Sequence, residues 1–268
     1  MFCAAHRGAP PLCFFRNLLS EFFLLLFQIY IQEEKAMKSY TQVIEELSAR
    51  KDEKYRQFNE RIVNIPTGTS IGVRMPALRT YGRELVRGAD FDLGALFEFP
   101  DTVYEVRLLK CFAVGYGKMP FGEKVLWIRR AVGIVDGWAV CDLFCSTLKE
   151  IKKHRSEFLP ELERYVAEGS EFSQRFAYVM LLGCYMEEEY LPAVFSLLRR
   201  AQTQYYYTHM GAAWLVAEVL VKFFDAGVSF LQEGVLDAKT ENKAIQKACE
   251  SYRLSDGQKK YLKSLKKR

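Results

Sequence analysis

Trp138 and Asp142 stand four residues apart in "VDGWAVCDLFC", residues 135–145. That spacing stacks their side chains on one helical face. A carboxylate with Val140, Leu143 and Phe144 around it is costly to desolvate unless something pairs with it or uses its charge. Arg175, in "EFSQRFAYVMLLGCYM", follows Trp138 by 37 residues, and Trp214, in "YYYTHMGAAWLVAEVL", follows Arg175 by 39. The chain thus offers, at a regular interval, an indole with a carboxylate, then a guanidinium, then a second indole. One reading is a buried Asp142–Arg175 ion pair that fixes helix register, with the tryptophans as core. The other is a site. A scaffold needing stability alone would carry leucine at such positions, because a buried pair is often no better than apolar packing.

A second group is basic. "KYRQFNERIVNIPTGTSIGVRMPALRTYGREL" holds Lys54, Arg56, Arg61, Arg74, Arg79 and Arg83 among aromatics and loop glycines. Arg107, Lys110, Arg129 and Arg130 follow, and the chain closes on "GQKKYLKSLKKR". Set along a groove, such side chains would track phosphates; on a solvated helix face they would do nothing specific, which suits the terminal run better. Arg74 lies in a loop marked by glycine and proline. The overall balance, 38 Lys and Arg against 33 Asp and Glu for a net +5, permits a polyanionic partner without requiring one.

Other chemistries find no support. The seven cysteines, at 3, 13, 111, 141, 145, 184 and 249, contain no C-x-x-C pair, so neither a zinc ribbon nor a redox dithiol is indicated. Free buried thiols in a reducing compartment are expected. "GYGKMPFG" lacks the spacing of a phosphate loop, there is no H-E-x-x-H, and three histidines are few for a metal site. No metal and no cofactor are expected.

These side chains need elements to hold them. From Met37 onward apolar residues recur at spacings of three and four, which predicts a nearly all-helical chain. Four strongly apolar blocks begin at 106, 139, 176 and 212, separated by 33, 37 and 36 residues, with more polar, breaker-containing segments between them. A buried inner helix alternating with an amphipathic outer one at this period predicts an all-α superhelix of HEAT-like pairs, a curved solenoid with a concave binding face. An irregular compact bundle is the alternative. Residues 37–268 form one domain on this reading. In residues 1–36, "FFRNLLSEFFLLLFQIYIQ" is interrupted by Arg16, Asn17, Ser20 and Glu21, and its core from Phe22 to Phe27 is far short of the roughly 20 residues a bilayer needs. Met37 opens like a natural start. Residues 1–36 are therefore expected to be a non-native or disordered extension, and no membrane partner is expected.

"VDGWAVCD", "FSQRFAYVMLL", "YYYTHMGAAWL" and "GVRMPALR" together resemble the bacterial DNA alkylation-repair glycosylases of the AlkD type, and the likeness runs from about Tyr55 to the end through "NKAIQKACESYRLS". That family is similar in fold to what the period predicts. The resemblance implies a monofunctional glycosylase that removes N3- or N7-alkylated purines, such as 3-methyladenine and 7-methylguanine, from duplex DNA. It implies Asp142 as the catalytic aspartate with Trp138 one turn before it, Arg175 contacting DNA beside the lesion, and Trp214 as a second aromatic wall. Phe58 matches an aromatic position near the lesion, and Arg74 and Arg79 would contact DNA. His209 stands where similar members carry lysine, so a weakened phosphate contact is implied there. A monomeric, cytoplasmic, nucleoid-associated repair enzyme follows from the same likeness.

Such chemistry fits residues that offer no metal site. An alkylated purine is already cationic and leaves readily, so what remains is to stabilise the charge growing on the sugar and to place a water, which a carboxylate near C1′ can do. Two electron-rich indole faces would favour a cationic nucleotide. Two readings compete: a non-catalytic binder of unusual DNA or RNA in which Asp142 is structural, and a helical-repeat adaptor for another protein.

Overall fold

A computed structural model describes residues 37–267, so the expected extension 1–36 lies outside the described residues. Among these residues the regular structure is helical, apart from one isolated antiparallel bridge between Lys51 and Val73. The α-helices are α1 (Tyr40–Ser48), α2 (Glu53–Val63), α3 (Met75–Arg87), α4 (Leu93–Phe97), α5 (Tyr104–Tyr116), α6 (Phe121–Val132) and α7 (Trp138–Cys145). There follow α8 (Arg155–Glu168), α9 (Glu171–Cys184), α10 (Leu191–Leu198), α11 (Tyr206–Lys222), α12 (Phe224–Glu233), α13 (Ala238–Glu250) and α14 (Asp256–Ser264).

Local chemistry places many of these starts and stops. Asp52, Ser170 and Asp237 each accept a backbone N–H of the first turn they cap, at α2, α9 and α13. Ser39 and Ser255 form capping boxes with Gln42 and Gln258. Gly169 ends α8 in the left-handed region at φ 75°.

Helices α3, α5, α7, α9, α11 and α13 pack in that order, each against the next, and α6, α8 and α12 pair with the layer from outside. The chain is an α-α superhelix, as the period of the apolar blocks predicts. The central inner helices, α5, α7, α9 and α11, bury most of their residues, and α5 is buried continuously from Tyr104 to Val114. That is why these segments read as apolar blocks rather than as one-sided stripes. No helix among the described residues is long and apolar enough to cross a membrane.

The turn from α2 into α3 is held by two buried carboxylates. Glu60 accepts from Gly68 N and from the Ser70 backbone and hydroxyl, while pairing with Arg56. Glu105, on α5, accepts from the backbone N–H of Ile71, Gly72 and Val73 at 2.9, 2.7 and 3.2 Å. Gly72 needs to be glycine twice over: its φ is 92°, and a Cβ there would lie 2.6 Å from Arg56 Cβ.

Several basic residues that the sequence places in a groove serve the scaffold instead. Lys110 is 1% exposed and donates to the carbonyls of Phe97 and Phe99 and to Asp101. Arg107 donates to the Asp101 carbonyl and pairs with Asp136. Arg129 pairs with Glu161, and Arg130 with Glu98.

Candidate functional site

Asp142 projects from the second turn of α7 and meets Arg175 from the second turn of α9. The contact is bidentate: Nε donates to Oδ1 at 2.9 Å and Nη2 to Oδ2 at 2.7 Å. Nη1 donates to the Tyr207 carbonyl at 3.3 Å, and the guanidinium lies 5.8 Å from the Tyr207 ring centroid. Burial works to lower the pKa of this guanidinium, but the hydrogen bonds and charge of Asp142 outweigh it, and the pKa is raised. The Arg175 side chain is 7% exposed and that of Asp142 20%, so the carboxylate retains access to solvent.

The next helix is locked to this pair. Glu171 accepts from Tyr207 N at 2.6 Å, and the Thr208 hydroxyl donates to the Glu171 carbonyl. A carboxylate thus satisfies one of the free N–H groups at the start of α11 and sits at the positive end of its dipole. The clamp fixes how α11 presents its side chains beside Arg175.

Those side chains build a cleft of about 310 Å³. Trp138 and Arg175 form one side of it, Tyr206, Tyr207, Met210 and Trp214 come from α11, Ile62 from α2 and Lys247 from α13. The Trp214 residue is 38% exposed. The structure therefore brings Trp138, Arg175 and Trp214 together, and attaches Asp142 to them through Arg175. Two thiols lie close to Asp142 along α7. Cys141 and Cys145 are buried, and burial, followed by neighbouring Cys141, pushes the Cys145 pKa well up.

One other depression has its arginines satisfied internally. Wider, at about 430 Å³, it contains Arg129 and Arg164, both closed on Glu161, with Arg164 also on Glu168. Among the described residues, no group of three His, Cys, Asp or Glu is arranged to hold a metal ion.

The remaining sequence candidates fall elsewhere. Phe58 is exposed on α2 but does not line the cleft; Ile62, one turn on, does. Arg74 pairs with Asp52 and lies over the Tyr55 ring. Arg79 donates to the Tyr116 hydroxyl and to Ser146 Oγ, over the Phe112 ring.

His209 requires a correction. It is 1% exposed, and its Nδ1 lies 2.7 Å from Thr240 Oγ1. Thr240 gives its own hydroxyl proton to Asp237 at 2.6 Å, so the imidazole donates to Thr240 from Nδ1–H. A residue so enclosed offers no surface to a phosphate. Burial, then Lys239, depresses its pKa below the ordinary 6.5. A histidine held neutral in the fold contributes stability above its unfolded pKa and loses it as pH falls through the folded value. Melting temperature should therefore fall as pH drops below about 6.5, and His209→Asn should flatten that fall. An unchanged profile in the variant would assign the acid loss to other groups.

Sequence reasoning missed Ile62, Tyr206, Tyr207, Met210 and Lys247. Tyr206, Met210 and Trp214 recur at i, i+4 and i+8 on α11, a signal present in the sequence. A family model described as "DNA alkylation repair enzyme" matches residues 43–251, a span that contains every residue of the cleft. No curated protein matches the chain.

Proposed function

The chain belongs to the DNA alkylation repair enzyme family, and on that premise we propose that it hydrolyses the N-glycosidic bond of cationic N3- and N7-alkylated purines in duplex DNA. The observation that carries this reading is the partner of Asp142: this partly exposed carboxylate is bonded to Arg175, which lines a cleft together with two indoles.

The alkylated base is its own leaving group. As the bond from C1′ breaks, the electron pair departs with the base, which becomes neutral, and positive charge grows on the sugar. Asp142 supplies a fixed negative charge for that state. Each carboxylate oxygen has a second lone-pair direction beyond the bond to Arg175, which leaves room to orient the water that adds to C1′. The water's proton passes to solvent and an abasic site remains. Trp138 and Trp214 offer electron-rich faces to the cation and exclude water around it.

Release of free 7-methylguanine from methylated duplex tests the reading, with release by the wild-type protein expected. A non-catalytic DNA binder is the competing reading, because the bidentate Asp142–Arg175 contact equally suits a pair that only fixes α7 against α9. Absence of release would favour it.

Trp214→Ala should slow release about tenfold, the value of a cation–π contact near the upper part of its range of roughly 0.5–2 kcal/mol. Stability should change little, because the ring is partly exposed. Single-turnover rates check this. A matching loss of affinity for undamaged duplex would mean that the ring contacts DNA without sensing the cation.

A further inference from the structure

Beside the cleft, α13 carries Lys239, Lys243 and Lys247 at intervals of one turn. They lie on one flank of the helix, next to the buried face made by Thr240, Glu241, Ala244, Ile245 and Ala248. A lysine on every turn spaces the ammonium groups about 6 Å apart over about 12 Å of helix. None of the three has an ion-pair partner among the described residues, whereas the nearby carboxylates are engaged. Glu241 pairs with Lys267, Glu218 with Arg253, and Asp237 caps α13 while accepting from Thr240. Glu250 accepts from Gln246.

The row ends in the cleft. Lys247 lines it together with Trp214, and the two residues also border the adjoining hollow that reaches Ser251 and Arg253. On the packed neighbour α11, Tyr206, Met210 and Trp214 form a second row at the same interval, all three lining the cleft. His209 meets Thr240 near the helix starts, and Trp214 and Lys247 line the same cleft further along, so the packed helices α11 and α13 run side by side in the same direction. An apolar and aromatic ladder thus runs beside a cationic one.

Of the two cations that line the cleft, Arg175 is already neutralised by Asp142, which leaves Lys247 as a positive charge without a carboxylate. A cationic base alone would be repelled by it. A nucleotide that brings its phosphate to Lys247 and its base to the indoles satisfies both groups.

We propose that Lys239, Lys243 and Lys247 are a track for the phosphates of one strand of duplex DNA, which enters along α13 and places the nucleotide at its end against Trp214. This rests on the duplex-DNA part of the reading above and is independent of its chemistry.

The test is binding of a labelled, undamaged duplex by anisotropy between about 50 and 200 mM salt, with the full-length protein. Every lysine–phosphate pairing taken away lowers the slope of log affinity against log salt by about 0.9. Replacing all three lysines by glutamine should therefore reduce the slope by about 2.7. The matched control is Lys260→Gln with Lys263→Gln and Lys266→Gln, which removes the same charge from α14 and the residues after it and should leave the slope in place. Retained helical circular dichroism shows that each variant folds. An unchanged slope in the α13 variant, or an equal fall in the control, overturns the track. Base release plays no part in the readout, so a failure of the glycosylase reading leaves this result standing.

Discussion

Asp142→Asn should reduce release of 7-methylguanine by about 10²–10³-fold, the usual cost of deleting one pre-organised electrostatic contact to a transition state. The substitution keeps the shape and one oxygen acceptor but removes the charge. It also turns an amide N–H₂ toward one of the two Arg175 nitrogens that donate at 2.9 and 2.7 Å, so some destabilisation is expected. For a fully buried pair such a break costs about 3–5 kcal/mol; with Asp142 20% exposed, water can take up part of the guanidinium's hydrogen bonding and about 1–2 kcal/mol is the expected scale. Folding and chemistry are then separated by a second measurement. Loss of an anion from a groove that meets phosphates should leave affinity for undamaged duplex equal or higher, while base release collapses. Equal release by wild type and variant would remove Asp142 from the chemistry and leave it as a register-fixing residue. Parallel loss of binding and release would indicate a damaged cleft.

The main features of the fold are visible in the chain because the central inner helices, α5, α7, α9 and α11, bury most of their residues. Four apolar blocks at a near-constant interval leave few alternatives to stacked helix pairs, and α5, α7, α9 and α11 begin near where that interval places them. Asp142 and Arg175 are legible for the same reason: each breaks the apolar run at the fifth residue of its inner helix, α7 and α9, and Trp138 and Trp214 stand out as indoles on α7 and α11. The other walls of the cleft are harder. Ile62 arrives from α2, and nothing near it in sequence marks the direction in which α2 packs. His209 and Met210 are neighbours, but one residue of helix is a turn of about 100°, which sends the imidazole to Thr240 and the thioether into the cleft. Arg107 and Lys110 mislead because their partners include the carbonyls of Phe97, Phe99 and Asp101, and a backbone carbonyl that accepts from a distant side chain leaves no mark in the sequence. The lysine row of α13 is plain as a spacing. Its meaning depends on the aromatic row beside it, which only packing supplies.

Glu105→Ala should be the most destabilising single change outside the apolar core. The side chain is 2% exposed and is the acceptor for three consecutive backbone N–H groups, those of Ile71, Gly72 and Val73. Gly72 and Val73 are themselves buried, so their donors cannot all turn to solvent when the carboxylate is removed. An orphaned buried donor costs about 1–3 kcal/mol. Allowing for water entering the space left, about 3–4 kcal/mol is expected for the group, and with roughly 2–4 °C per kcal/mol in a chain of this size the melting temperature should fall by about 10 °C. Glu105→Gln should recover little of this, because its amide N–H₂ would face donors on one side. The effect should extend to the cleft. The strap from Ile71 to Val73 joins α2 to α3, and α2 contributes Ile62 to the cleft wall. A loosened α2 should raise the substrate concentration needed for half-maximal release more than it lowers the maximal rate, since Asp142 and Arg175 sit on α7 and α9 and do not depend on the strap. A melting temperature within about 2 °C of wild type would show that the three N–H groups find other partners, and the claim that this carboxylate anchors the α2–α3 turn would fail.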